Sequence, residues 1–455
     1  MDAPAPKPNS AAARDVAYHL HPATDLRRHE EVGPMIIERG RGIYVTDDTG
    51  KDYIEGLAGL WSVAVGFGEQ RLIDRAAEQM RQLPYYHSFA HKAHPAVIDL
   101  AERLVAMTPE RLEKAFFTNS GSEANDTAIK MIWYYNNALG RPQKKKIISR
   151  RRAYHGVTIA AGSLTGLPIN HNGFDLPLPG FLHVSCPHHL HEARPGESEE
   201  AFAARLADEL EALILAEGPD TIAAFFGEPL MGAGGVVVPP ATYWERIQAV
   251  LRKHDILLVA DEVINGFGRT GAMFGCDTFG IDPDIMVLSK QITSSYAPLG
   301  ALVVSGPVYE AVADGSHAHG AFGHGFTGSG HPVAVAVALE NLDILAERDL
   351  VGNAARLSPR FFEHLDGFAG RDMVAETRGR GLIGGIELSA EAATAAGFAN
   401  AAAATRRLAE LAQEEGLIIR AIGETAAFCP PLIITETEID EMFARFTRAF
   451  DRLAA

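Results

Sequence analysis

Short, mostly apolar runs alternate with longer segments of helical periodicity over most of the chain. The runs predict buried strands at 115–118, 146–149, 181–184, 222–226, 256–260, 285–288 and 301–304. Apolar residues three or four positions apart predict helices at 71–82, 96–107, 122–138, 199–217, 243–254 and 332–347. Because strands that alternate with helices form βαβ units, we expect an α/β fold with a mostly parallel seven-stranded sheet covered by helices on both faces.

The two ends of the chain depart from this alternation. Apolar positions alternate at 34–45 and 51–57 around the turn Asp47-Asp48-Thr49-Gly50, which predicts a hairpin. After Asp349, a separate α+β unit is predicted from the segments 350–365, 373–388, 401–414 and 436–453. We therefore expect a large domain at 68–336 and a small α+β domain built from both ends, 1–67 and 337–455.

Composition excludes several classes of protein. The formal net charge of −17 disfavours a nucleic-acid partner, because phosphate contacts need a basic face. No apolar run approaches the roughly 20 residues that span a bilayer, and the first residues lack a signal-peptide core, so we expect a cytoplasmic protein that is not in a membrane. The widely spaced Cys186, Cys276 and Cys429 indicate reduced thiols and no disulfide framework.

One basic run, at 144–152, departs from the acidic balance. It flanks the apolar pair Ile147-Ile148. We interpret it as a solvated strand edge in preference to a nucleic-acid patch.

Lys290 follows the apolar run 285–288, at the end of a strand where parallel sheets place their ligands. Burial lowers the pKa of an ammonium and frees its lone pair for attack on a carbonyl, which is what a Schiff base requires. A lysine that snorkels to the surface is the alternative interpretation of this position alone.

Other predicted strands also end in chemically useful residues. Ser120-Gly121-Ser122 follows 115–118 and opens a helix, with Glu123 at capping-box spacing from Ser120, so its free backbone N–H groups suit a phosphate. An ordinary capped helix is the alternative. Asp261 ends the run 256–260, where a carboxylate needs a cationic partner or several donors.

Two further strand ends complete the set. Tyr154-His155 follows 146–149 and could cover a planar ligand, and Glu228 follows 222–226. Pyridoxal phosphate needs a lysine for its aldehyde, an anion site for its phosphate, a carboxylate for its ring nitrogen and an aromatic for its face. Because all four requirements are met at predicted strand ends, we expect this cofactor, which would alternate with pyridoxamine phosphate.

These motifs resemble class III aminotransferases. The resemblance is carried by the segments 119–125 (NSGSEAN), 154–156 (YHG), 228–229 (EP), 261–271 (DEVINGFGRTG) and Lys290, and it extends over nearly the whole chain. Within that family the sequence is most similar to omega-transaminases that use pyruvate as amino acceptor. The resemblance implies a fold-type I homodimer with shared active sites, or a tetramer, and a ping-pong reaction between an amine donor and a keto acid.

The resemblance also implies residue roles. Lys290 would be the catalytic Schiff-base lysine and Asp261 the partner of the pyridinium nitrogen. The cofactor-binding set would be Ser120, Gly121, Ser122, Tyr154, His155, Glu228, Asp261, Val263, Lys290, Phe326 and Thr327, the last two reaching the partner subunit's cofactor. Many relatives carry a tyrosine where this chain has Gly328, which bears on the packing of that interface loop.

An apolar substrate pocket is implied by the same resemblance, lined by Leu60, Trp61, Phe89, Ala90, Tyr154 and Ala233. Arg420 matches the arginine proposed in the family to bind a substrate carboxylate, which a guanidinium can do through two hydrogen bonds. A surface ion pair is the alternative role for Arg420.

Three rival functions have some support. The segment Gly266-Phe267-Gly268-Arg269-Thr270-Gly271 fits the GxGxxG pattern of NAD-dependent oxidoreductases, but it does not open a helix directly after a strand. The cluster at 186–191, with His188, His189 and His191, lacks a second set of ligands, so we expect a solvated loop and no metal. A decarboxylase or an aminomutase would share the lysine and the carboxylate, and the residues alone leave these two open.

Overall fold

The structure is a computed structural model that describes residues 9–454. Its helices are α1 (Ala11–Tyr18), α2 (Leu26–Val32), α3 (Ala58–Trp61), α4 (Gln70–Gln82), α5 (Pro95–Met107), α6 (Gly121–Ala138), α7 (Ile159–Leu164), α8 (His189–Glu192), α9 (Glu199–Glu217), α10 (Tyr243–Lys253), α11 (Gly275–Phe279), α12 (Gly306–His319), α13 (Pro332–Glu347), α14 (Leu350–Asp366), α15 (Ala390–Ala395), α16 (Ala401–Glu414) and α17 (Glu436–Ala454). Its strands are β1 (Ile37–Arg41), β2 (Tyr44–Asp47), β3 (Asp52–Glu55), β4 (Leu112–Thr118), β5 (Lys146–Arg150), β6 (Phe181–Val184), β7 (Ile222–Gly227), β8 (Leu257–Asp261), β9 (Ile285–Leu288), β10 (Gly300–Ser305), β11 (Val374–Arg380), β12 (Ile383–Leu388), β13 (Leu417–Ile418), β14 (Arg420–Ile422) and β15 (Thr425–Phe428).

A central sheet with the strand order β4-β10-β9-β8-β7-β5-β6 organises the middle of the chain. The pairs β9–β8, β8–β7, β7–β5 and β5–β6 are parallel, whereas β10 runs antiparallel to both of its neighbours. The predicted α/β class and the mostly parallel seven-stranded sheet are therefore confirmed. The parallel strands β5, β7, β8 and β9 bring their carboxyl ends to one edge, where the predicted site residues follow.

Successive residues of these strands point to opposite faces of the sheet. On β9, Ile285 and Val287 pack into the cluster that contains α6, whereas Met286 and Leu288 pack into the cluster on the other face. All four side chains are fully buried. Burial on both faces explains why the strands appear in the sequence as continuous apolar runs and do not alternate with polar residues.

The first segment forms three strands where a two-stranded hairpin was predicted. Gly42 takes a positive φ of 60° and separates β1 from β2, which then pairs with β3. Strand β13, near the C-terminus, pairs in parallel with β3, so segments from both ends of the chain share one sheet. The domain boundaries at 67 and 336 stay a prediction.

The basic run at 144–152 was wrongly interpreted as a solvated edge. Strand β5 lies between β7 and β6 in the sheet, and Arg150 is fully buried. Its Nη2 donates to the carbonyl oxygen of Glu228 at 2.6 Å, and its guanidinium lies 5.2 Å from the Trp244 ring. Distant partners thus contact a charged group that the local pattern assigned to solvent. Within residues 9–454, no helix combines the length and the apolar character needed to cross a bilayer.

Candidate active site

Lys290 follows β9 after one intervening residue and begins a 3-10 turn that the protein holds firmly. Its backbone has a positive φ of 48°, which is costly for a residue with a side chain and is common at functional sites. The Gln291 side chain donates to the carbonyl oxygens of Ile264 at 2.9 Å and Gly266 at 2.8 Å, and Asn341 donates to the carbonyl oxygen of Gln291 at 2.9 Å. Burial lowers the pKa of Lys290 to about 8, so roughly a tenth of the amine is neutral at pH 7, far more than for a lysine in water.

Asp261 ends β8 and is only 2% exposed. Its Oδ2 accepts hydrogen bonds from Asn125 Nδ2 at 2.9 Å and from His155 Nδ1 at 2.8 Å. Its Oδ1 accepts from the N–H of Val263 at 3.2 Å. These donors compensate for the lost water and hold the carboxylate in one orientation, as the sequence required of a buried strand-end acid.

Ser120 caps α6, and its Oγ accepts the N–H of Glu123 at 3.2 Å. The reciprocal half of the predicted capping box is displaced by one residue, because Glu123 accepts the N–H of Asn119 at 2.7 Å. In the described part of the chain, the first-turn N–H groups of Gly121 and Ser122 have no acceptor. They remain available to an anion at the positive end of the helix dipole.

The start of α6 also packs closely on its neighbours. A Cβ on Gly121 would lie 3.1 Å from Val263 Cγ2, and a Cβ on Gly156 would overlap Ser122 Oγ. Ser122 Oγ accepts the N–H of Val157 at 3.2 Å. The helix start, the turn after β5 and the end of β8 therefore meet around one small space.

Glu228 connects two loops of this site and is 2% exposed. Its Oε1 accepts the N–H of Tyr154 at 3.1 Å, and its Oε2 accepts the N–H of Gly232 at 3.0 Å. Burial raises the pKa of Glu228 above its usual range. The carboxyl group thus holds Tyr154 beside the glycine-rich loop that carries Ala233.

Arg420 lies half-buried on β14 and neighbours Tyr154. Among residues 9–454, no carboxylate lies within 4 Å of its guanidinium, so the surface ion pair is not formed. Burial lowers the pKa of Arg420 and raises that of Tyr154. A partly desolvated cation without an anionic partner is a suitable binding group for a carboxylate.

Trp61 and Leu60 occupy an irregular turn after β3. Trp61 is 1% exposed and takes a φ of 64°, whereas Leu60 is 64% exposed. The Glu55 carboxyl group accepts the N–H of Gly59 under this turn, and burial raises the pKa of Glu55 to about 7. This internal hydrogen bond stabilises the turn, and the Leu60 side chain is exposed to solvent.

Phe89 and Ala90 line an open cleft, and the segment Phe326-Thr327-Gly328 lies beside it. The cleft has a volume of about 1770 Å³ and is also lined by residues 320–325, and no strand-end residue lines it in the described chain. Tyr85 donates to the carbonyl oxygen of Thr327 at 2.9 Å. A Cβ on Gly328 would overlap Asn119 Oδ1, so a larger residue here requires the Asn119 side chain to move.

The NAD-binding interpretation of Gly266-Phe267-Gly268-Arg269-Thr270-Gly271 does not hold. The segment is a buried turn, and fully buried Arg269 donates to the carbonyl oxygens of Leu382 at 3.0 Å and Pro430 at 2.6 Å. It supports the lysine turn and opens no helix.

The expected solvated loop at 186–191 was also wrong. His188 is 2% exposed, and His188, His191 and Glu387 form a compact group. The three cysteines are free and buried, as expected of reduced thiols.

Sequence reasoning missed the residues that position the two central side chains. Asn125 holds Asp261, and Gln291 with Asn341 holds the lysine turn. Asn125 lies in the motif 119–125, and Gln291 is adjacent to Lys290. In both cases, a polar residue at a position predicted to be buried was the signal that could have identified it.

The fold and this arrangement of lysine, carboxylate and helix start define a pyridoxal-phosphate enzyme of fold type I. The family model for class III aminotransferases matches residues 26–450, and the chain belongs to that family. The cofactor is accordingly pyridoxal phosphate, and the donor set described above suits its aldehyde, ring nitrogen and phosphate.

Named relatives agree with this assignment. Gamma aminobutyrate transaminase 1, mitochondrial, of Solanum lycopersicum is 48% identical over 431 residues, 94% of this chain and 84% of the relative. The omega transaminase of Pseudomonas jessenii in complex with PMP is 60% identical, with a TM-score of 0.96 over 98% of each chain. A thermostable omega transaminase variant engineered for the synthesis of bulky amines has the same identity and TM-score, over 98% of this chain and 99% of that one. The chain is therefore an aminotransferase that moves an amino group from a donor to a keto acid, which sets aside the decarboxylase and aminomutase alternatives.

Proposed function

We propose that this enzyme transfers the amino group of a primary amine or an omega-amino acid to pyruvate. The observation that carries the choice of a keto-acid acceptor is the half-buried guanidinium of Arg420, which lies beside Tyr154 without a carboxylate partner. The exposed Leu60 and the small Ala233 leave an apolar surface for the rest of a donor molecule. The solved omega transaminases at 60% identity support an amine as donor.

Lys290 carries out the covalent and proton-transfer steps in this proposal. When bound, pyridoxal phosphate supplies the aldehyde that takes up the amino group and the ring that accepts an electron pair. The neutral Nζ of Lys290, favoured by its lowered pKa, would hold the aldehyde carbon through a covalent bond, with the aldehyde oxygen lost as water. After exchange with a substrate amine, the freed Nζ would be the base that moves a proton from the substrate carbon to the carbon that carried the aldehyde.

The other strand-end residues hold charges in place. Asp261, oriented by Asn125 and His155, keeps the ring nitrogen protonated. The N–H groups at the start of α6 bind the phosphate, and Tyr154, fixed through Glu228, covers the ring face. Each assignment follows the position of a side chain at the carboxyl edge of the sheet.

A homodimer with shared active sites is part of the proposal. The open cleft beside Phe89 and Ala90 is large enough to accept protein side chains, and the segment Phe326-Thr327 lies at its margin. In the dimer, Thr327 would donate its hydroxyl to the phosphate held by the other subunit. Sedimentation equilibrium would measure the state, and a stable monomer with full activity would contradict this part.

The central experiment uses Lys290→Ala in purified holoenzyme. We expect the variant to bind pyridoxal phosphate without a covalent bond to the protein, which reduction with borohydride followed by mass spectrometry would show. We also expect no turnover with 1-phenylethylamine and pyruvate. Retained amino transfer by the variant would refute the assignment.

A donor and acceptor panel would decide between amine and omega-amino-acid substrates. The plant relatives are named gamma-aminobutyrate transaminases, so γ-aminobutyrate belongs in the panel beside 1-phenylethylamine, each with pyruvate and with 2-oxoglutarate. Exclusive use of 2-oxoglutarate would overturn the choice of pyruvate. Those relatives are named mitochondrial, whereas a cytoplasmic location is our proposal here, and cell fractionation would test it.

A further inference from the structure

The loop after β6 approaches the sheet β11-β12-β15-β14 and brings two histidines against a buried carboxylate. His188 precedes α8, His191 lies within it, and Glu387 lies on β12, about 200 positions away in the sequence. One ligand atom from each of the three lies within 4.8 Å of the others. None of these residues takes part in the amino transfer described above.

His188 is buried without a hydrogen-bond partner. Its side chain is 2% exposed, and in the described chain neither ring nitrogen makes a hydrogen bond of acceptable geometry. Its Nε2 lies 3.5 Å from Glu387 Oε2 and 3.7 Å from Glu376 Oε2. A buried imidazole with no partner loses hydration without compensation, so the position indicates a missing ligand.

The geometry of the three donors fits a tetrahedral ion. With metal–ligand distances of about 2.0–2.2 Å, donor atoms around zinc lie roughly 3.3–3.6 Å apart. The separation of His188 Nε2 from Glu387 Oε2 meets this condition as it stands. His191 Nε2 contacts Glu387 Oε1 directly, and since His191 is 42% exposed its ring has room to rotate outward by the small amount required.

The charges around the group favour a divalent cation. Glu387 and Glu376 contribute two negative charges, and Arg378, which bonds to each of them at 2.7 Å, contributes one positive charge. Together these three side chains carry a net charge of −1. Arg378 donates to the same Oε2 of Glu387 that faces His188, while Oε1 faces His191, so a neighbouring donor orients the carboxylate between the two imidazoles.

We propose that His188, His191 and Glu387 form a binding site for zinc or a similar imidazole-preferring divalent ion, with water or Glu376 as the fourth ligand. The ion would join the loop after β6 to β12, and its role is structural.

This site is independent of the substrate proposal. In the described chain, the three proposed metal ligands form no hydrogen bond or ion pair with Lys290 or Arg420. Arg378 connects the site to the end of the glycine-rich loop that carries Ala233, because it also donates to the carbonyl oxygen of Val236 at 3.1 Å. We therefore expect metal to raise thermal stability and to leave the amine preference unchanged.

Tag-free holoenzyme, freed of excess cofactor and treated with a chelator, would be titrated with zinc chloride in a phosphate-free buffer by calorimetry. We expect one equivalent to bind with micromolar or tighter affinity and to raise the Tm. His191→Ala should weaken this binding at least about 100-fold and abolish the thermal shift, because it removes a direct ligand from an exposed position that tolerates truncation. Magnesium chloride should not bind, because magnesium prefers oxygen ligands.

Two control variants make the result specific. His254→Ala removes a histidine that also lies against a carboxylate, Glu211 at 2.9 Å, and it should retain zinc binding. His21→Ala disrupts the other compact group, Asp15 with His21 and His29, and should also retain it. Absence of zinc binding in the wild type, unchanged binding in His191→Ala, or loss in His21→Ala would each overturn the proposal.

Discussion

Replacing Arg420 by alanine tests the acceptor specificity directly. The guanidinium is half-buried beside Tyr154 and has no carboxylate partner in the described chain, so a bound keto acid would provide its first anionic contact. An alkylamine donor has no carboxylate and gains nothing from the positive charge. We therefore expect Arg420→Ala to impair the two half-reactions of the ping-pong cycle unequally.

The expected size of the loss follows from the burial of Arg420. Truncating one partner of a buried, hydrogen-bonded charge pair costs about 2–5 kcal/mol. Because Arg420 keeps some contact with solvent, screening places the loss at the lower end, about 2–3 kcal/mol. At 1.4 kcal/mol per tenfold change, kcat/KM for pyruvate should fall roughly 30- to 150-fold.

Single-turnover absorbance measurements separate the half-reactions. Holoenzyme mixed with 1-phenylethylamine reports the donor step, and the aminated enzyme mixed with pyruvate reports the acceptor step. The matched control is Arg380→Ala, which removes an exposed arginine from β11 of the same sheet and should alter neither step. Equal losses in both steps of Arg420→Ala, or an unchanged acceptor step, would refute the role given to Arg420.

Three further predictions concern the lysine, the strand-end carboxylate and the interface loop. Asn125→Ala removes a 2.9 Å hydrogen bond to the carboxylate that ends β8, worth about 1.5–3 kcal/mol, so the donor step should slow roughly 10- to 150-fold. Asn136→Ala, which loses only a bond to a carbonyl of its own helix, should leave that rate unchanged; equal slowing of both would contradict the prediction. The rate at which apoenzyme rebinds pyridoxal phosphate should rise with pH through a midpoint near 8, because only neutral Lys290 attacks; a midpoint above 10 would contradict the lowered pKa. Gly328→Ala should lower stability by about 1–3 kcal/mol, since its Cβ would overlap Asn119, and an unchanged denaturation midpoint would show that Asn119 can move aside.

The secondary structure was predictable where the burial of a single helix or strand determines which of its positions are apolar. Strands β6 and β9 and helices α9 and α13 begin and end where the apolar positions predicted, because a buried strand or an amphipathic helix requires those positions to be apolar. The strand ends followed from the same reasoning, so Lys290 and Asp261 were predicted to lie at one edge of the sheet. The boundary between β1 and β2 was missed because it depends on a single glycine, Gly42, with positive φ.

Long-range partners account for what the sequence could not predict. Arg150 and His188 belong to segments that look solvated, since charged and polar residues default to the surface when nothing nearby pairs with them. Each is buried because a distant segment supplies a contact: the Glu228 carbonyl and the Trp244 ring for Arg150, and the carboxylate of Glu387 for His188. Neither set of contacts is complete: in the described chain, Nε and Nη1 of Arg150 and both ring nitrogens of His188 have no hydrogen-bond partner. What distinguishes the two is the neighbouring groups. His188 lies beside His191 and Glu387, which offer ligand atoms for an ion, whereas Arg150 is a permanent cation covered by an aromatic ring. Burial that is unexpected from sequence therefore indicates a ligand only where the surrounding side chains can bind one.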